Sequence, residues 1–177
     1  MGEGVDEMEL RRRLEELFRA HAAAVHAYAR RRTDPASADD AVGEVFGIAW
    51  RRIGDVPEPA LPWLLACARR VLANQRRRER RVGALRSRLA ANSPPLVSTD
   101  EGDGALRVVL DGLRGRDREI LLLTAWEGLG PAEAAVVLGC SPRAAAVRLH
   151  RARRRLEAAL AQVEADDPLT DAMEVVQ

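Results

Sequence analysis

GLGPAEAAVVLGCSPRAAAVRLHRARRRL, residues 128–156, is the stretch that decides how this chain folds. Pro131 suits the first turn of a helix, where the N–H it lacks would have no partner. Gly139, just past Leu138, can take the left-handed conformation that ends a helix. Ser141 can cap a second helix, and Pro142 can occupy its first turn. On that second helix Ala145, Leu149, Ala152 and Leu156 recur at three- and four-residue intervals as a buried stripe. Arg143, His150, Arg151 and Arg154 point away from it, and the small Ala134 and Ala135 let the two helices approach closely. The pattern predicts a helix-turn-helix.

Such a unit lays its second helix in the major groove, where an arginine can donate two hydrogen bonds to a guanine edge or clamp a phosphate. The bland alternative is a well-solvated basic surface helix. The coincidence of turn, caps, buried stripe and basic face favours DNA.

Upstream, ALRVVLDGL and DREILLLTAWEGL supply further short helices. The core expected for this half comprises Leu106, Val109, Leu113, Ile120, Leu121, Leu138, Leu149 and Leu156. Residues 83–104, with NSPP and DEGDG, read as a polar linker, and residues 162–177 as an acidic tail. In the N-terminal half Leu14, Leu17, Phe18, His21, Val25 and Tyr28 mark one face of a helix that ends near Thr33–Pro35. Val42, Val45, Phe46, Ala49 and Ile53 mark a second, whose positive N-terminal end suits Asp39 and Asp40. After a proline-rich loop over residues 54–62, a third helix runs from about Pro62, apolar first and strongly basic from Arg76 to Arg81.

The fold class that follows is all-α: two small helical domains, 8–82 and 105–161, joined by a flexible linker. A chain of 177 residues with 47% hydrophobic and 31% charged residues accommodates this. Net charge is only +1, so the charge distribution rather than its sum suggests a phosphate-bearing partner. All basic residues are arginine, for which a compositional bias is explanation enough. Cys67 and Cys140 have no neighbouring ligands at metal spacing and read as core residues. No apolar run is long enough to span a membrane and no secretory signal opens the chain, so the expected location is the cytoplasm.

These residues resemble the bacterial RNA polymerase sigma factors of the extracytoplasmic-function (ECF) group, in the sigma-70 family. LRGRDREILLLTAWEGLGPAEAAVVLGCSPRAAAVRLHRARRRL is similar to that family's fourth conserved region. ADDAVGEVFGIAWRRI resembles its acidic D-x-V-Q-E-x-F-x-x-A-W segment, and PWLLACARRVLANQRRRERR the basic stretch that follows. The resemblance implies binding to core RNA polymerase and promoter DNA, with an anti-sigma factor as a possible further partner, no cofactor, no metal and no membrane. It implies that Asp39, Asp40, Gly43, Glu44 and Gly47 meet the polymerase clamp. It likewise implies that Arg70, Asn74, Arg76 and Arg77 engage the minus-ten element, and that Arg143, Arg148, His150, Arg151 and Arg154 engage the minus-thirty-five element. Three positions depart from the family pattern: Gly43 replaces the usual Gln, Arg70 an Asn, and Ala144–Ala146 the usual T-V-R or T-V-K. Trp63 fits either a base-stacking platform or the core.

Two rival readings remain at this level: a regulator that borrows the C-terminal unit and acts without the clamp contact, and a helical adaptor whose arginines bind acidic proteins. An enzyme is not expected. His21 and His26 do not share a helix face, HAAAVH is not H-E-x-x-H, and neither a phosphate loop nor G-x-S-x-G occurs.

Overall fold

The computed structural model describes residues 3–86, 109–110 and 112–165, and no strand occurs among them. The chain divides into two compact units, Met1–Thr99 and Asp100–Gln177. Most of the expected linker, Leu106 and the end of the acidic tail lie outside the described residues.

In the first unit, α1 (Glu3–Arg30), α2 (Pro35–Arg51) and α3 (Leu61–Arg86) pack on one another. Chain reversal between α1 and α2 is set locally. Asp34 adopts an extended backbone and accepts the Ser37 N–H at 3.1 Å, which satisfies one donor that the first turn leaves open. The Ser37 side chain and, after it, this N–H favour the ionised carboxylate and hold Asp34 below the usual aspartate range. Tyr28, Leu64, Leu65, Val25 and Val45 are fully buried, each stabilising by about 1.5–3 kcal/mol if exposed in the unfolded chain. Arg32, although charged, is buried. Its guanidinium lies 3.6 Å from the Tyr28 ring centre and donates to the Tyr28 carbonyl at 2.9 Å.

Several expectations are corrected here. Burial in α1 concentrates in its C-terminal half: Leu14, Leu17 and His21 are half-buried, and Phe18 keeps 50% of its surface exposed beside an edge-on Phe46. Apolar periodicity identifies a face, but not how much of its length finds a partner. In α2 the buried row is Ala38, Ala41, Val45, Phe46 and Ala49, with Val42 half-buried, and Ile53 is buried from the short 3₁₀ turn Ile53–Asp55 beyond the helix. The third helix continues to Arg86, past the predicted domain end. Cys67 is in the core, where burial pushes its thiol pKa up against the opposing pull of Arg70 and Arg52, so it stays protonated and inert. Cys140 is only half-buried.

In the second unit, α4 (Gly115–Ala125), α5 (Pro131–Leu138) and α6 (Pro142–Ala165) enclose Ile120, Leu123, Ala134, Ala135, Ala145 and Ala152. Val109, Leu110, Leu121 and Leu149 are also buried, whereas Leu113, Leu138 and Leu156 are half-buried at the margin. Gly128, with φ 66°, turns the chain out of α4. No helix among the described residues is long and apolar enough to cross a membrane.

Candidate nucleic-acid interface and acidic face

The turn between α5 and α6 forms from the residues the sequence singled out. Gly130 N–H donates to Glu133 Oε2 at 2.8 Å and fixes the start of α5. Gly139 is left-handed (φ 66°, ψ 43°). Its N–H reaches the Val136 carbonyl at 3.3 Å, and the Cys140 N–H reaches the Ala135 carbonyl at 3.1 Å. This pair of bonds is a Schellman ending. Ser141 Oγ then accepts the Ala144 N–H at 3.2 Å and starts α6. Because Ala134 and Ala135 are nearly inaccessible, α6 sits close against α5 with Ala145, Leu149 and Ala152 inward.

That packing fixes what faces out. Arg143, Val147, Arg151 and Arg154 recur at four, four and three residues along the side opposite the buried row, flanked by exposed Ala144 and His150. Arg148 is half-buried on the flank toward α4. There an open groove of ≈ 560 Å³ is lined by Arg114, Asp117, Ser141, Arg143, Ala144, Val147, Arg148, Arg151 and Arg155. Five guanidinium groups around one carboxylate leave the groove strongly positive, which suits phosphate. Asp117, buried at its floor, is ion-paired to Arg155. Sequence reading missed Arg114, Asp117, Arg155 and the exposed Val147; the helical repeat that places Arg143 and Arg151 outward places Val147 between them and could have found it.

In the first unit Arg70, Asn74 and Arg77 share the exposed side of α3, opposite its buried face. Arg77 donates to Asn74 Oδ1, leaving the Asn74 NH₂ as donor. Arg76 is turned away from them and donates to the Arg32 carbonyl, tying α3 to the end of α1. Its guanidinium is therefore already engaged in the fold.

On α2, Asp39, Asp40, Gly43 and Glu44 are exposed and Gly47 half-exposed, all on the side away from the buried row. His26 Nε2 lies 3.0 Å from Asp39 Oδ1, a partner thirteen residues away that sequence spacing did not suggest. Trp63 is half-buried on α3. His150 is exposed.

Comparison with known proteins bears on both units. Residues 17–82 match the family described as sigma-70 region 2, and residues 103–156 match sigma-70, region 4. The ECF RNA polymerase sigma factor SigL of Mycobacterium tuberculosis is 31% identical over 156 residues, covering 83% of this chain and 88% of the relative. Among solved structures, the sigma factor RpoE in complex with the anti-sigma factor NepR from Bartonella quintana has a TM-score of 0.64 at 22% identity, covering 82% of this chain and 95% of that one. CnrH, in complex with the cytosolic domain of CnrY, has a TM-score of 0.57 at 27% identity, covering 89% and 91% respectively.

Proposed function

We infer the roles of individual residues from one premise: the chain belongs to the sigma-70 family of RNA polymerase sigma factors, and within it to the ECF group. It is a transcription initiation factor that binds core RNA polymerase and directs it to promoters. A regulator built on the C-terminal unit alone would leave the match over residues 17–82 without purpose.

Division of labour follows the two matches. Residues 8–82 act as the polymerase and minus-ten domain, 83–104 as the tether, 105–161 as the minus-thirty-five domain, and 162–177 as a tail. The single observation that supports the DNA role is the geometry of α6: one side is buried by Ala145, Leu149 and Ala152, and the opposite side carries exposed Arg143, Arg151 and Arg154. Arg151 is a base-edge or phosphate donor near the crest, whereas Arg148, lower on the flank, is a phosphate contact. His150 flanks the same surface. Arg70, Asn74 and Arg77 form the minus-ten surface; Arg76 steadies that helix from behind.

The strip of Asp39, Asp40, Gly43, Glu44 and Gly47 offers a basic helical partner three carboxylates beside a surface with little side-chain bulk, which supports its assignment to the polymerase clamp. The Bartonella relative solved with its anti-sigma factor supports an anti-sigma protein as a third partner. We assign no catalytic residue and no cofactor, and a polymerase-bound factor works in the cytoplasm.

Run-off transcription with core polymerase tests the scheme. Glu44→Lys reverses a charge on the strip and is expected to abolish co-purification with core polymerase at unchanged circular dichroism. Arg151→Ala is expected to retain co-purification and to weaken promoter binding by about 5- to 150-fold, the range for one good arginine contact. Normal association of the Glu44 variant would remove α2 from the clamp interface.

A further inference from the structure

Of the four residues Arg143, Val147, Arg151 and Arg154 that recur along the outward side of α6, Val147 is the one whose side chain cannot donate a hydrogen bond. Val147 is 44% exposed, stands in the helix's second turn, and lies between Arg143 and Arg151 on the side opposite Ala145, Leu149 and Ala152. Ala144, also exposed, adjoins it on the rim of the arginine-lined groove. A lone exposed valine is ordinary on a protein surface. This one occupies the middle of a DNA-facing surface, in the N-terminal part of the helix that meets base edges in helix-turn-helix docking.

We propose that Val147 is a specificity-determining residue that reads the 5-methyl group of a thymine in the upstream promoter element, with Ala144 completing the apolar contact. The inference rests on the assignment of α6 to the minus-thirty-five element. In the major groove guanine and adenine present acceptors, cytosine and adenine present amino donors, and only thymine adds a methyl group. Opposite Val147 the polar edges of the other bases lose water and gain no partner, which disfavours them. A helical valine holds essentially one side-chain rotamer, so ordering it against a methyl costs little entropy. The arginines on either side of Val147 favour guanine, so the thymine read by Val147 adjoins guanines within about two base pairs.

The test uses the full chain with core polymerase. Holoenzyme first selects its preferred upstream sequence from a randomised library. Each thymine in that sequence is then replaced, one at a time, by deoxyuridine, which removes only the methyl. Wild-type holoenzyme is expected to lose about 3- to 4-fold in affinity at one position, the effect of one buried methyl. Val147→Ala is expected to bind the thymine and deoxyuridine sites equally at that position. Val147→Thr, which keeps a branched methyl, retains part of the discrimination. Alanine favours helix, so the fold persists and circular dichroism stays unchanged. If wild-type protein requires the upstream element but ignores every methyl, or if Val147→Ala remains as methyl-sensitive as wild type, the valine assignment is overturned while the DNA role of α6 stands. If scrambling the whole upstream element changes nothing, the DNA role itself fails and the valine assignment falls with it.

Discussion

Gly139→Ala isolates the cost of the turn that aims α6. A Cβ added at Gly139 meets no heavy atom within 4 Å, so the substitution creates no clash. The whole penalty is conformational. At φ 66° an L-residue places Cβ against its own following carbonyl, at a cost of about 1–2 kcal/mol. Gly43 supplies an internal contrast, because its added Cβ also meets nothing within 4 Å but its backbone is that of a helix interior. There alanine lowers unfolded-state entropy and stabilises by about 0.5–1 kcal/mol. The same chemical change is therefore expected to act with opposite sign at the two positions. Native-state hydrogen exchange read by mass spectrometry separates them, since each unit reports through its own peptides. Exchange in peptides over residues 131–156 should accelerate about 5- to 30-fold in Gly139→Ala, and that over residues 35–51 should slow about 2- to 5-fold in Gly43→Ala. Asparagine at 139, which tolerates the left-handed region, should cost less than alanine. Equal stability of wild type and Gly139→Ala, or acceleration in both variants, would refute the claim that left-handed backbone rather than side-chain space selects glycine in this turn.

The other expectations concern pairs of groups. Arg155→Ala leaves the Asp117 carboxylate buried without its guanidinium, and should destabilise the second unit by about 1–2 kcal/mol, less than a fully buried pair because Arg155 is 47% exposed. In a double-mutant cycle with Asp117→Asn, chemical denaturation should return a coupling near 1 kcal/mol; strictly additive single effects would dissolve the pair as a stabilising unit. Asp34 contributes with a definite pH sign. Its folded pKa lies below its unfolded one, so its contribution is present above the usual aspartate pKa and is lost as pH falls through the lower, folded value. A melting series on wild type and Asp34→Ala should therefore show a gap of about 1 kcal/mol at neutral pH that begins to narrow near the ordinary aspartate pKa of about 3.9 and closes only below the lowered folded value; a gap independent of pH would contradict the capping role.

Much of the local structure was readable from the chain because its causes are local. Pro131, Gly139, Ser141 and Pro142 act on backbone groups within five residues of themselves, and the stripe of Ala145, Leu149 and Ala152 depends only on the helical repeat. The same holds for the outward positions of Arg143, His150, Arg151 and Arg154, and for the exposed strip from Asp39 to Gly47. The resemblance carried by these segments also agreed with the family matches.

Tertiary structure alone decided how far each stripe is covered and which polar groups meet. Phe18 follows the apolar period of α1 yet stays half exposed, because burial requires a neighbour and periodicity supplies only a face. Arg76 belongs to a basic run but donates to a carbonyl 44 residues earlier, and Asp117 pairs with an arginine 38 residues later. His26 and Asp39 meet only once α1 and α2 have packed. A side chain's direction is set by its own helix, whereas its partner is set by how that helix docks on others, and docking depends on contacts that no spacing along the chain records.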